Sequence, residues 1–329
     1  MQSPKYYFQH FNVVLIILWI RLYWLIPEKL YLKVLFRLSM GYPLNLNNPV
    51  TFNEKIQWLK LYDRKPEYIK LVDKVAVKDF VTDRIGSEFV VPTLGVWNSP
   101  DEIDWNSLPR QFVLKTSHGS GSHGVIICKD KSSLDIPKVK AQLLNALKKD
   151  RTWEHYREWP YKNVPHRILA EQLLTNDSLK STSLIDYKFM CFNGKVKFSF
   201  TCTDRFSKEG LKVTFYDNEW NIMPFERNHP REAIPSQRPY CYEKMIEAAE
   251  KLTIDIPFAR IDFYEVDKHP YFGEITFYPG SGLEGFQPVE WDKTIGDMLD
   301  LPKVKNSDDN YHHNNHDKQM KNHSFFFYL

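Results

Sequence analysis

The chain has no pair of cysteines at C-x-x-C spacing: Cys128, Cys191, Cys202 and Cys241 lie far apart, the first three inside apolar or strand-like runs. That excludes a zinc ribbon and reads as buried free thiols in a reducing, cytoplasmic compartment. An excess of one charge is also missing. Lys and Arg number 44 against 41 Asp and Glu, for a net of +3, too balanced to attract a polyanion, and no nucleic-acid partner is expected. Nor is there an apolar run of the roughly 20 residues that a spanning helix needs. The nearest, "FNVVLIILWIRLYWLI" (residues 11–26), is shorter and carries Arg21. It has no small-residue cleavage site, so a secretory leader is not expected. With 43% hydrophobic and 26% charged residues among 329, the composition is that of a globular chain with one large or two modest domains.

The N-terminus does have a basic amphipathic pattern. Pro27 opens "PEKLYLKVLFRLSMGY", in which Lys29, Lys33 and Arg37 recur at i, i+4, i+8, with Leu30, Val34, Leu35 and Leu38 expected on the other side. Two readings stand: a helix docked on the core, or a contact with the cytoplasmic face of a membrane, anchored by Trp19, Tyr23 and Trp24. After the break at "GYPLNLNNP", Thr51 and Glu54 form a capping box that starts another helix. Residues 1–72 therefore read as a helical N-terminal segment.

From Asp73 onward helices and strands alternate. A helix ends at Gly86, "FVVPTLGVW" reads as a strand, and "RILAEQLL" (Arg167 to Leu174) reads as a buried one. "YKFMCFNGKVKFSF" has the pattern of a hairpin turning at Asn193-Gly194 in a type I′ turn. A helix at Tyr242 to Leu252 and a second hairpin, "FARIDFYEV" with "YFGEITFYP", follow. Beyond Leu301 the composition falls to Asn, His, Asp and Lys, so residues 303–329 are expected to be a disordered tail. His312, His313 and His316 within it read as solvated side chains rather than metal ligands.

The stretch "FVLKTSHGSGSHGVIIC", Phe112 to Cys128, places Gly119, Gly121 and Gly124 in G-x-G-x-x-G spacing. A dinucleotide fingerprint needs a helix after the glycines, whose N-terminus holds the pyrophosphate, whereas "VIIC" favours a strand. No Lys-Ser or Lys-Thr follows, which excludes a Walker loop, and the H-R-D and D-F-G strings of a protein kinase do not occur. What remains is a hairpin with Lys115 on its incoming strand. Its tip either lies on phosphates or is a glycine-rich turn with no ligand.

The hairpin from Ala259 to Phe277 alternates: Arg260 and Asp262 share one face, as do Glu274 and Thr276, while Ile261, Phe263, Ile275 and Phe277 take the other. An odd-numbered connecting loop sets Asp262 opposite Glu274 and Arg260 opposite Thr276. Facing carboxylates repel, and a hard cation explains them better than a solvated outer face. Carboxylates with nucleotide phosphates are how proteins hold magnesium.

The order "DK" (Asp73, Lys74), "FVLKTSHGSGSHGVI", "ILAEQLL", "DYKF", "ARIDFYE" and "GEITFYPGSG" resembles the ATP-grasp superfamily, specifically its TupA-like branch, named for teichuronopeptide biosynthesis. The resemblance runs from about Leu30 to Pro302, and "NPVTFNEKIQWLKLYD" and "GEITFYPGSG" carry it most strongly. It implies an α+β, ATP-grasp fold in residues 73–302, two α+β subdomains clasping ATP, with a lid subdomain at about 112–175. It implies that Lys74 and Lys115 contact the nucleotide and that the loop Ser117 to Gly124, with Gly119, Ser120 and Gly121, closes over the triphosphate. Glu171 would lie where the adenine edge is read, and Asp177 is a weaker candidate for the ribose. Lys188 would point at the phosphates, Arg260 would stabilise the transferring phosphoryl group, and Asp262, Glu274 and Thr276 would bind magnesium. Gly280 and Ser281 would line the acceptor pocket. Two departures stand out: Thr276 replaces the usual asparagine ligand, and residues 1–72 read as helical where many relatives carry a Rossmann-like domain.

The implied activity is an ATP- and Mg-dependent carboxylate–amine ligase working through an acyl phosphate, with a small-molecule or polysaccharide-precursor acceptor in cell-envelope or capsular polysaccharide biosynthesis. The alternatives are a glycosyltransferase or sugar kinase of polysaccharide assembly, although no D-x-D string is present, and a non-catalytic ATP-binding protein, for which Thr276 leaves room.

Overall fold

The computed structural model describes residues 11–119, 124–148, 150–175, 184–203 and 210–303. Among these, the alternating stretches form two antiparallel sheets. The smaller one comprises β1 (Thr93–Trp97), β2 (Phe112–Thr116), β3 (Val125–Cys128) and β4 (Ile168–Gln172), in the order β1-β4-β2-β3. The larger comprises β5 (Asp186–Phe192), β6 (Lys195–Thr203), β7 (Lys212–Tyr216), β8 (Phe258–Val266) and β9 (His269–Thr276), in the order β7-β6-β5-β8-β9. The helices are α1 (Phe11–Ile20), α2 (Glu28–Met40), α3 (Phe52–Tyr62), α4 (Tyr68–Val72) and α5 (Val77–Ile85), then α6 (Ile136–Leu147), α7 (Arg151–Tyr156), α8 (Tyr242–Leu252) and α9 (Trp291–Gly296).

Each sheet buries one apolar face under a helix. Val139 and Leu143 of α6 pack on Phe112, Leu114, Ile168 and Ala170 of the small sheet. Met245, Ala248, Ala249 and Leu252 of α8 belong to the core that covers Phe189, Ile261 and Phe263 of the large sheet. All four cysteines are buried and free: Cys128, Cys191 and Cys202 as expected of thiols in apolar runs, and Cys241 as well.

The β5–β6 hairpin turns at Asn193 (φ 48°) and Gly194 (φ 78°), both left-handed as a type I′ turn requires. The β8–β9 hairpin differs from its expected form in an instructive way. Val266 pairs with His269, so the loop is only Asp267 and Lys268, an even number, and both are left-handed (φ 51° and 61°). That loop alone would set Asp262 against Gly273. A bulge next to Asp262 makes Gly273 an extra residue on β9 and restores the pairs Asp262–Glu274 and Arg260–Thr276. The facing carboxylates thus arise from a bulge and not from an odd loop.

The basic pattern of α2 misidentified its buried side. Tyr31, Leu32, Leu35 and Phe36 are buried, whereas Leu30 is 52% exposed, so of the expected apolar set only Leu35 is fully inside. The aromatic rings decide the rotation. The Tyr31 hydroxyl donates to the carbonyl of His155 at 2.8 Å, and Phe36 meets Tyr42 edge-on at 5.1 Å. The capping box of Thr51 and Glu54 is present. It opens α3, whose fully buried Phe52 contacts Phe192, Phe258 and Phe286 with ring centroids 6.0, 5.1 and 6.3 Å away. The third helix is therefore part of the large-sheet core. No described helix is long and apolar enough to cross a membrane.

A Cβ on Gly273 would lie 3.2 Å from the carbonyl oxygen of Asp262 and 3.3 Å from the Tyr264 ring. Gly273→Val is expected to cost about 1–3 kcal/mol through this crowding, read as a lowered urea midpoint at unchanged slope.

Candidate functional site

The two sheets present charged faces to one another across a cleft. On the small sheet, Glu171 of β4 is buried, and the amino groups of Lys115 (β2) and Lys78 (α5) meet its two carboxylate oxygens at 2.5 and 2.6 Å. Burial alone would push Glu171 up, but Lys115 and Lys78 hold it below the usual carboxylate range. Lys78 also donates to the Val91 carbonyl at 2.7 Å. With Lys74, Val91 and Phe272 these residues line a narrow cleft between the sheets.

On the large sheet, strand alternation sets the charges in a row. Lys188 of β5 pairs across to Asp262 of β8, and Asp262 to Glu274 of β9. The Lys188 amino group contacts Asp262 and reaches Asp186 at 2.6 Å. Arg260 forks onto Asp262, with Nε on Oδ1 and Nη2 on Oδ2, both at 2.7 Å, and Nη2 also reaches Glu274 Oε1 at 3.0 Å. The Thr276 hydroxyl donates to the same Glu274 oxygen at 3.4 Å. Burial would raise Glu274, but Lys74, Arg260, Lys188 and Lys115 lower it to about 2. Against its own burial, the Asp262 and Glu274 carboxylates hold Arg260 well above its ordinary value.

Lys74 joins the two faces. Its backbone N–H donates to the Ser117 carbonyl at 3.1 Å, its amino group donates to the Gly119 carbonyl, and it lies 3.9 Å from Glu274. The neighbouring Asp73 anchors this crossing by accepting from Arg167 at 2.5 Å.

Lys74, Lys115 and Glu171 line the cleft, and Lys188, Arg260, Asp262, Glu274 and Thr276 form one contact network on the large sheet, 3.9 Å from Lys74 at Glu274. Ser117 is not aimed into the cleft. Its hydroxyl is fully buried, donating to the Pro165 carbonyl at 2.5 Å and accepting from the Arg167 N–H at 2.9 Å, so it ties the glycine loop to the β4 approach. Gly119 enters through its carbonyl. Ser120, Gly121 and Asp177 lie outside the described residues. Gly280 and Ser281 form a left-handed turn just past β9, where the Ser281 hydroxyl donates to Glu158 and the Ser281 carbonyl accepts from the buried Lys60 at 2.7 Å.

Sequence reasoning missed four charged residues: Lys78, Asp186, Lys60 and Glu158. Asp186 was detectable, since it shares a strand face with Lys188 in "DYKF". Lys78 lies one helical turn beyond Lys74. Nothing local marks Lys60 or Glu158, which come together only in the fold.

The donor set suits magnesium chemically, because two facing carboxylates and a hydroxyl are hard oxygen donors. The lysines and Arg260 suit a polyphosphate. Removing the shared partner of Lys78 and Lys115 leaves two ammonium groups without a counter-charge. Glu171→Ala is therefore expected to destabilise the protein by about 3–5 kcal/mol, measured by denaturant melts without nucleotide.

The sequence model of the family described as TupA-like ATPgrasp matches residues 54–300. Comparison with curated proteins gives no match. Among solved structures, D-alanine–D-alanine ligase from Helicobacter pylori is 17% identical, with 76% of this chain and 69% of that one covered and a TM-score of 0.38. A RimK domain ATP-grasp protein from Sphaerobacter thermophilus is 12% identical, with 72% and 70% covered and a TM-score of 0.39. D-alanine–D-alanine ligase from Bacillus anthracis complexed with ATP is 13% identical, with 63% and 53% covered and a TM-score of 0.36. The chain covers 53%, 59% and 57% of the first three such structures. These likenesses are too distant to carry residue roles or substrates across. The family match, over most of the chain, is not: this protein belongs to the TupA-like ATP-grasp family.

Proposed function

We propose that the protein is an ATP- and magnesium-dependent carboxylate–amine ligase that activates its substrate as an acyl phosphate. The observation that carries this reading is the row Lys188–Asp262–Glu274, clasped by Arg260 and facing Lys74 and Lys115 across the cleft. Lys115 and Lys74 bind the phosphates, Lys115 exchanging the Glu171 carboxylate for a phosphate oxygen. Lys188 and Arg260 stabilise the charge that spreads over the transferring phosphoryl group. Asp262 and Glu274, with Thr276, would hold magnesium, which supplies charge neutralisation at the phosphates.

The nucleophile belongs to the substrate. Its carboxylate oxygen bonds to the γ-phosphorus as the bond to ADP breaks, and an amine then displaces phosphate from the acyl carbon. The family's association with teichuronopeptide synthesis supports a uronic or amino-acid carboxylate and a role in cell-envelope or capsular polysaccharide. Hydroxylamine traps acyl phosphates. With ATP, magnesium and glucuronate, galacturonate, alanine or glutamate, the protein is expected to release ADP and form a hydroxamate, both lost in Asp262→Asn and Glu274→Gln. ADP without hydroxamate would indicate a kinase instead, and sugar transfer without ATP would overturn the assignment.

The N-terminal surface supports a location. Trp24 is 71% exposed and Leu25 59%, beside exposed Leu18 and Leu22, with Arg21, Lys29 and Lys33 also exposed and Glu28 already paired with Arg64. This is an apolar patch rimmed by exposed positive charge, as on helices that lie on anionic membrane surfaces. Co-sedimentation with phosphatidylglycerol vesicles is expected to exceed that with phosphatidylcholine and to fall sharply in a Trp24→Glu, Leu25→Glu double variant. Equal partitioning of the two proteins would reject the membrane contact.

A further inference from the structure

In "DYKF", Asp186 and Lys188 stand two positions apart on β5, so both side chains leave the strand on one face, which Asp262 continues on β8 and Glu274 on β9. The Lys188 amino group lies between two carboxylates. It contacts Asp262 Oδ2 and reaches Asp186 Oδ2 at 2.6 Å, and all three residues are buried.

Asp262 accepts three charged contacts: Arg260 Nε on Oδ1, Arg260 Nη2 on Oδ2, and Lys188 on the same Oδ2. The two-pronged Arg260 contact is by itself the strong, bidentate way to compensate a carboxylate. The Lys188 contact is therefore the one that Asp262 can release without being left uncompensated. It is also the one that stands in the way of a metal, because an ammonium on Oδ2 occupies a lone pair that a hard cation needs and repels that cation at short range.

Resting on the proposed reading, in which Asp262 holds magnesium, we infer that Asp186 is a positioning residue for Lys188: it keeps the lysine when Lys188 leaves Asp262, so that Asp262 opens to a divalent cation while the ammonium stays in the cleft. Without Asp186, Lys188 either remains on Asp262 and competes with the cation or is left as a buried charge with no partner, and both are unfavourable. With Asp186 the change is a shift between two oxygens that Lys188 already touches. Asp186 lies on the far side of Lys188 from Asp262, so its part is to hold the lysine rather than the metal.

Manganous ion, whose electron paramagnetic resonance signal reports the unbound fraction, measures this without turnover. With saturating AMPPNP, Asp186→Asn is expected to weaken manganous ion binding about 10-fold. The same substitution added to Lys188→Met, where no ammonium competes, should change that affinity little. Loss of equal size in both backgrounds would mean that Asp186 acts on the cation through its charge alone, and it would overturn the positioning role, as would no loss in either. A crystal structure of the unaltered protein with magnesium and AMPPNP makes the test independent of how the variants fold. Lys188 should keep its hydrogen bond to Asp186 and lie beyond hydrogen-bond distance of Asp262; a Lys188 still bonded to Asp262 would overturn the inference. If the two substitutions couple but no hydroxamate forms with any carboxylate, the ligase reading fails and the positioning role stands. If hydroxamate forms and the substitutions do not couple, the positioning role fails and the ligase reading stands.

Discussion

Asp262 and Glu274 face one another across two paired strands, and the rest of the cleft is arranged around the repulsion between them. Two carboxylates in register on a buried sheet face are unfavourable unless cations compensate them. Arg260 does so with a fork that spans both, Lys188 adds a contact from the adjacent strand, and Lys74 approaches from the opposite side. In the proposed reaction the same cations would oppose a nucleotide's phosphates, and the acids they stabilise would hold its metal counter-ion.

The opposite wall follows the same logic on a smaller scale. Glu171 neutralises Lys115 and Lys78 and is in turn held ionised by them. The proposed exchange of a carboxylate for a phosphate would leave the number of charge-assisted contacts about constant, so a lysine would move between partners without being left uncompensated. Ser117 lies outside this exchange, because its hydroxyl is committed to backbone groups at Pro165 and Arg167. Its part is to fix where the glycine loop begins.

The helical N-terminal segment is joined to this machinery. Phe52 packs into the aromatic core under β5 and β8, and further along the same helix Gln57 and Lys60 reach the turn after β9. Arg157 reaches the Tyr23 carbonyl and the Tyr31 hydroxyl donates to the His155 carbonyl, so α2 and the turn before it dock on the short segment that carries Glu158. The exposed apolar N-terminal surface is therefore connected, through one buried segment, to the turn after β9.

Local pattern determined much of this protein. The period-2 alternation in "ARIDFYEV" and "GEIT" placed Arg260, Asp262, Glu274 and Thr276 on one face, Asn193-Gly194 specified its turn, and Thr51 with Glu54 specified a helix start, because each depends only on nearby backbone geometry. The family resemblance supplied the order of the remaining site residues. Tertiary structure alone decided the rest. The carboxylate register was inferred correctly from a loop of the wrong parity, since a bulge at Gly273 is not visible in a hydrophobic pattern. The buried side of α2 followed the packing of Tyr31 and Phe36 and not the spacing of its lysines. Lys60, Glu158 and Ser281 are separated by 98 and 123 positions along the chain, and no periodicity links residues so far apart; only the docking of α3 against the turn after β9 makes them neighbours.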